Sequence, residues 1–137
     1  MALDIYLQPD PVMPRINDTY EHLGAFYDTE GYYWFLEPLF AELYKTTGQY
    51  IDLYGGAIFH GEALKALAEM LLTAHEQVSA QPESWEVVTS IQLDSVPGSQ
   101  EIRKTVHKQG MLALLDKLEA ATHRAQSTGC YINFWGD

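Results

Sequence analysis

Both ends of the chain alternate apolar and polar residues, and this pattern constrains the fold more than any other feature. Near the N-terminus the apolar positions are Leu3, Ile5 and Leu7, and residues 130–135 alternate in the same way. Alternation with period two is typical of a strand that buries one face. An isolated terminal strand satisfies neither its backbone groups nor its apolar face, so the two end strands are predicted to be neighbours in one sheet.

Two long segments have apolar residues at every third or fourth position. This spacing predicts helices over 61–80 and 108–127, and Gly129 is suited to end the second of them. A third helix is predicted over 37–47, with Pro38 tolerated in its first turn. These three helices supply most of the apolar surface that the sheet has to meet.

Turn-forming residues follow the first strand. Prolines predict a loop over 9–18, since proline cannot donate to a strand ladder. A short helix is predicted over 20–26, for which Asn17 and Asp18 are candidate caps. The composition of 28–31 predicts a turn before the next element.

A central β-hairpin completes the predicted elements. Residues 85–93 and 101–106 read as its strands, joined by a turn over 95–100. Residues 50–59 are left open between loop and short strand. The element order predicts an α+β fold built as a two-layer sandwich, in which a small, mostly antiparallel sheet contains both terminal strands and the hairpin and is packed by three to four helices. The length of 137 residues predicts a single domain over 1–137.

The charge of the chain is strongly negative and unevenly placed. There are 19 acidic residues against 8 Lys and Arg, for a formal net charge of −11. Nucleic acids and anionic membrane surfaces repel such a chain, so neither is expected as a partner. Residues 1–100 carry 15 acids and three bases, whereas 101–137 carry four acids and five bases. The pattern is compatible with simple solubility and with an acidic face for a basic protein partner.

Motifs that carry catalysis do not occur in the sequence. There is no Gly-x-Gly-x-x-Gly, Walker-type Gly-Lys-Ser/Thr, His-Glu-x-x-His or Gly-x-Ser-x-Gly. The five histidines do not pair at metal-ligand spacing, so no metal and no cofactor is predicted. The single cysteine, Cys130, is interpreted as a small apolar residue at a strand start. No apolar run reaches the roughly 18 residues of a membrane span, and no signal-peptide pattern is visible, so a cytoplasmic protein is expected.

Tyrosine is concentrated at the N-terminal end of the chain. Eight of the nine tyrosines lie within the first 54 residues, and acids are interleaved with them. Interfaces favour tyrosine because it offers a large rigid surface with one polar group. For the run 27–33, a core role and an interface role fit the pattern equally, whereas Trp34, Phe35 and Phe40 are expected in the core. The residues predicted to bind a partner are Tyr27, Asp28, Glu30, Tyr32, Tyr33, Asp52 and Tyr54.

The C-terminal end resembles a known class of protein. From Met111 onward the sequence reads Met-x-x-Leu-Leu-x-x-Leu-x-x-Ala-x-x-x-Ala, followed by Gly129, an alternating apolar strand and the closing Gly136-Asp137. This pattern is similar to the end of small bacterial immunity proteins of toxin–immunity systems. The resemblance covers less than a quarter of the chain. It implies a small, acidic, cytoplasmic inhibitor of a basic toxin, without catalytic motifs.

Two functions from different classes follow from these observations. The first is a non-catalytic, acidic protein-binding domain, in its most concrete form an immunity-type inhibitor of a basic toxin or nuclease. The second is a small ligand-binding domain or enzyme, whose tyrosine-lined pocket would use Asp28, Glu30, Asp52 or His60 as polar groups. A nucleic-acid mimic fits less well, because aromatic residues interrupt the acids. A homodimer through a strand edge or through segment 31–44 is compatible with all of these.

Overall fold

A computed structural model describes residues 2–12, 20–93 and 99–136, with the backbone alone for 90–93 and 99–101. The protein is α+β, with three helices and two antiparallel sheets in these ranges. In chain order the elements are β1 (Ala2–Gln8), β2 (Glu21–Tyr27), α1 (Tyr32–Thr47), β3 (Gly56–Phe59), α2 (Glu62–Ser79), β4 (Ser84–Leu93), β5 (Ser99–His107), α3 (Lys108–Thr128) and β6 (Tyr131–Gly136).

The terminal strands lie side by side at the centre of the larger sheet, as the sequence predicts. The strand order is β2-β1-β6-β3, and every neighbouring pair is antiparallel. Ile5 of β1 is in register with Phe134 of β6, and Phe59 of β3 is in register with Ile132. These side chains are buried and belong to one hydrophobic cluster with residues of all three helices. Burial of this shared apolar face is the main force that holds the terminal strands together.

The predicted helix over 20–26 is wrong, because this segment forms strand β2. Leu23 and Phe26 are both buried and lie three residues apart. In a sequence, this spacing of apolar residues is typical of a helix. In the structure a bulge between the pairs of Ile5 and Tyr6 leaves Leu23 as an extra residue in β2, so both side chains point inward. Gly24, beside the bulge, has φ of 149°, a conformation that suits glycine. The candidate caps Asn17 and Asp18 lie outside the described residues.

Helix α1 begins at Tyr32, five residues before the predicted start. Burial of Tyr33 and Leu36 extends the apolar stripe of this helix toward the N-terminus, which outweighs the weak helix propensity of its aromatic residues. Pro38 is therefore inside the helix and not in its first turn. Because proline has no N–H, the carbonyl of Trp34 loses its helical donor there.

The β4–β5 hairpin forms its own two-stranded sheet, which corrects the prediction that it joins the terminal strands. Period-two alternation identifies strands but does not say which edges pair. The hairpin is held by its apolar base: Val106 is fully buried, and the Trp85 ring meets that of Phe35 edge to face at 5.0 Å. Residues 95–98 of the predicted turn lie outside the described ranges, and Ser99 and Gln100 belong to strand β5 instead of the turn.

The remaining elements agree with the sequence. Helices α2 and α3 match the two long amphipathic segments, and Gly129 ends α3 with a left-handed φ of 72°. Residues 50–59, for which the sequence allowed a loop or a short strand, form a loop followed by the short strand β3. None of the helices in the described ranges is long and apolar enough to cross a membrane.

Candidate functional site

A groove of about 370 Å³ opens beside the first turns of α1, next to the loop 50–54 and strand β4. We call it the aromatic groove. Among the described residues, four lining side chains are aromatic, two are acidic and none is basic. They are Tyr33, Trp34, Glu37, Pro38, Tyr50, Asp52, Leu53, Tyr54 and Val88. The groove therefore combines aromatic surface with two carboxylates.

The first turns of α1 supply one wall of the groove. Trp34 and Glu37 are three residues apart, so they share a helix face, while Tyr33 and Leu36 lie on the buried side. The Tyr33 ring meets the Trp34 ring edge to face at 5.3 Å and tilts against Phe40 at 5.4 Å. Packing of Tyr33 in the core thus fixes the direction in which Trp34 and Glu37 extend.

The loop 50–54 supplies the opposite wall by alternating its side chains. Ile51 and Leu53 are buried, so the residues between and beside them face outward, and Tyr54 is 54% exposed. Asp52 Oδ1 accepts a hydrogen bond from the Tyr54 N–H at 3.0 Å, which fixes the turn locally. The loop is also tied to the sheet, because the Gly136 N–H donates to the Gly55 carbonyl at 2.6 Å.

Two tyrosine hydroxyls connect the walls. Tyr33 donates to the Ile51 carbonyl at 2.8 Å, and Tyr50 donates to Glu37 Oε1 at 2.9 Å. Burial, reinforced by the neighbouring Tyr50 hydroxyl, raises the pKa of Tyr33 strongly. Burial also raises the pKa of Tyr50, and its hydrogen bond to the Glu37 carboxylate raises it further. At neutral pH both phenols are therefore protonated donors.

The indole nitrogen of Trp34 lacks a hydrogen-bond acceptor. Its Nε1 is shielded from solvent and has no partner among the described residues. A buried N–H without a partner is unfavourable by about 1–3 kcal/mol.

The chemistry of the lining favours binding. Among the described residues, the lining contains two carboxylates and three tyrosine phenols but no His, Ser, Thr, Cys, Lys or Arg, so it offers no cationic group. Aromatic faces and carboxylates together attract cations. The arrangement is suited to hold a positively charged group next to apolar surface.

The predicted partner-binding residues divide into two sets. Asp52 and Tyr54 line the aromatic groove, together with Tyr33. Tyr33 is only 3% exposed, so most of its side chain serves the core and little of it faces the groove. The other set lies at the β2–α1 turn and consists of Tyr27, Asp28, Glu30 and Tyr32.

The turn set surrounds Gly31, which packs against the hairpin. A Cβ on Gly31 would lie 2.6 Å from a methyl group of Val87, so only glycine fits there. Tyr27 is 47% exposed, whereas Asp28, Glu30 and Tyr32 are half-buried. Burial raises the pKa of Tyr32, and the nearby Glu30 carboxylate adds to this. Gly31 of the turn packs against Val87 of β4, and the next residue of the strand, Val88, lines the aromatic groove.

Six lining residues were not among the predicted partner-binding residues: Trp34, Glu37, Pro38, Tyr50, Leu53 and Val88. A helix start at residue 32 would have placed the first two on one face by their spacing of three. Tyr50 belongs to the tyrosine-rich segment but had no signal to separate it from core residues. Val88 enters the groove through the docking of the hairpin, which the sequence does not encode locally.

A second cleft, of about 400 Å³, lies between the end of α1 and the start of α2. It is slightly larger than the aromatic groove, but no aromatic side chain lines it. Its walls are formed by Thr46, Thr47, Glu62, Ala63, Lys65, Ala66 and Glu69. Binding sites depend on aromatic and apolar surface with a few placed polar groups, so the aromatic groove is the stronger candidate.

The histidines have local roles in the structure. His22 lies 2.9 Å from Asp4, His75 lies 3.3 Å from Asp116, and the His60 ring stacks on Tyr131 at 4.1 Å. Within the described ranges, no three His, Cys, Asp or Glu side chains are arranged to hold a metal ion.

Comparison with known proteins adds no relative: no family model, curated protein or solved structure matches the chain. Function is therefore argued from the geometry and charge of the aromatic groove.

Proposed function

We propose that the protein is a non-catalytic, acidic protein-binding domain that engages a basic partner, in its most concrete form an immunity-type inhibitor of a basic toxin or nuclease. The observation that carries this proposal is the aromatic groove, in which Glu37 and Asp52 lie among tyrosine and tryptophan side chains, with no basic residue in the part of the lining that the structure describes. Buried aromatic anchors dominate the binding energy of many protein interfaces.

The charge around the groove supports the same proposal. Residues 20–54 contain six acids and one base, Lys45, which is paired with Glu42 at 3.0 Å. Tyr44 and Tyr54 are both about half exposed, at 52% and 54%. An acidic field with aromatic side chains at its centre accelerates the encounter with a basic protein and supplies area for a stable contact. In the immunity-type form, the partner is neutralised in the bacterial cytoplasm.

The proposal is tested by capture, identification and reconstitution of the partner. Immobilised protein is incubated with source lysate at low salt, and bound proteins are eluted at high salt and identified. A purified basic partner is then expected to bind with an affinity that falls as the salt concentration rises. If no purified basic protein binds at low salt, the proposal is wrong.

Neutralisation of the β2–α1 turn tests its share in the interface. Asp28→Asn with Glu30→Gln is expected to weaken partner binding while leaving the melting temperature almost unchanged. Amides are preferred to charge reversal because both side chains are half-buried. A large fall in melting temperature would show that these carboxylates hold the turn instead.

A second candidate function is the binding of a small molecule. The specific observation in its favour is that three tyrosines, Tyr33, Tyr50 and Tyr54, line one groove of about 370 Å³, which is within the range of small-ligand sites. A small molecule that co-purifies with the protein and is displaced by Tyr54→Ala would favour this candidate over a protein partner.

A further inference from the structure

We propose that the aromatic groove receives an arginine side chain from the basic partner. This inference rests on the proposed function and specifies which part of the partner the groove recognises. It follows from the lining carboxylates and from the aromatic faces.

The carboxylates are available to a second set of donors. Glu37 accepts one hydrogen bond at Oε1 from Tyr50, and Asp52 accepts one at Oδ1 from the Tyr54 N–H. Within the described ranges, neither Oε2 of Glu37 nor Oδ2 of Asp52 accepts a hydrogen bond from this chain. A carboxylate accepts up to about four hydrogen bonds, and a guanidinium presents five N–H donors in a planar fork.

Besides its N–H donors, a guanidinium has two flat and weakly hydrated faces, and the aromatic side chains of the groove can stack on them. Tyr54 is 54% exposed, so its ring is accessible for stacking, and Trp34 lines the wall that α1 supplies. Arginine stacks on aromatic faces through cation–π and dispersion contacts, whereas the lysine ammonium is a compact and strongly hydrated charge. The lining therefore favours arginine over lysine.

The arginine is expected to belong to a polypeptide because the proposed partner is a basic protein. The apolar lining residues Pro38, Leu53 and Val88 offer contact surface to the methylene groups of its side chain.

The probe for this inference is a blocked hexapeptide of arginine, with hexapeptides of lysine and glutamate for comparison. Affinity for the full chain is measured by calorimetry at low salt, and the indole N–H signal of Trp34 is followed by NMR. We expect the arginine peptide to bind about tenfold more tightly than the lysine peptide. The glutamate peptide is not expected to bind. The Trp34 signal is assigned with Trp34→Phe and should shift on binding.

Two double variants separate the groove from general charge attraction. Glu37→Gln with Asp52→Asn removes two carboxylates from the groove but keeps the oxygens that accept from Tyr50 and Tyr54, so the fold is retained. Glu69→Gln with Glu76→Gln removes the same charge from the exposed side of α2. The groove variant should bind the arginine peptide about tenfold more weakly, and the α2 variant less than about twofold. Melting curves verify that both are folded.

Several results would overturn this inference. They are an equal loss in both double variants, no loss in the groove variant, no binding of the arginine peptide at low salt, or equally tight binding of free arginine amide. The last result would assign the groove to a small cation. If a purified basic partner binds the groove variant as tightly as the unaltered protein, this inference fails while the proposed function stands. If no basic partner binds the unaltered protein, the proposed function itself fails.

Discussion

Helix α1 and the pair α2–α3 bury their apolar faces in the same hydrophobic cluster, but their exposed sides differ. The exposed sides of α2 and α3 carry charged and amide side chains and surface ion pairs, such as Arg124 of α3 with Glu21 at 2.7 Å. The exposed side of α1 carries Trp34 and Tyr44 and adjoins the tyrosine-bearing loop 50–54.

This difference separates two uses of aromatic residues. Tyr33 is buried and packs in the core, whereas the Tyr54 side chain is 54% exposed to solvent. The aromatic groove therefore lies on the α1 side of the hydrophobic cluster.

The largest expected effect tests whether the buried faces are equivalent. Phe40→Ala in α1 and Leu67→Ala in α2 remove side chains that are 1% exposed, and each should lower the free energy of unfolding by about 2–5 kcal/mol. Leu72→Ala is the control, because this residue of α2 is 58% exposed and should change stability by less than about 0.5 kcal/mol. Urea denaturation measures all three. If Phe40→Ala were as mild as the control, α1 would not share the core.

An intermediate loss of stability is expected at Gly136, where strand β6 contacts the loop 50–54 and Gly55. A Cβ on Gly136 would lie 2.6 Å from the Leu53 carbonyl oxygen and 2.8 Å from that of Gly55, so Gly136→Ala must displace the loop. We expect a loss of about 1–3 kcal/mol in the free energy of unfolding, together with weaker binding of the arginine peptide.

The control for this change is Gly56→Ala on the neighbouring strand. The nearest atom there would be a Trp135 ring carbon at 3.4 Å, which is ordinary contact. This variant should retain stability and peptide binding. Equal effects of the two alanines would mean that the loop does not depend on its attachment to β6.

The smallest effect distinguishes the core tyrosine from the surface tyrosine by pH. The pKa of Tyr33 is raised in the folded protein by burial, so its stabilising contribution is complete below about pH 10, the ordinary value, and is lost as pH rises above it. Tyr33→Phe should lower the free energy of unfolding by about 1 kcal/mol at neutral pH, by loss of the hydrogen bond to Ile51, and should make its decline above pH 10 less steep.

Tyr54→Phe is the matched control, since its side chain is half exposed and its hydroxyl is not needed by the core. It should change the free energy of unfolding at neutral pH by less than about 0.5 kcal/mol. Free energies of unfolding at a series of pH values between 8 and 11 provide the comparison. A decline that is identical in all three proteins would show that Tyr33 does not titrate differently in the folded state.

Much of the fold was predictable because local pattern and tertiary packing agree. The alternation at Leu3, Ile5 and Leu7 and the spacing within α2 and α3 correctly predicted the elements and the pairing of the terminal strands. The prediction failed at β2, where a bulge places Leu23 and Phe26 at a helical spacing within a strand. It also failed at the start of α1, where burial of Tyr33 outweighs helix propensity.

From the sequence alone, the composition of the candidate site was predictable: an excess of acids, a concentration of tyrosine and three residues that line the groove, Tyr33, Asp52 and Tyr54. These properties are visible because charge, residue type and short-range alternation are local. Only the tertiary structure decided that Trp34, Glu37 and Val88 join them. That choice depends on how α1, the loop and the hairpin dock, and docking is set by long-range burial that no short stretch of sequence specifies.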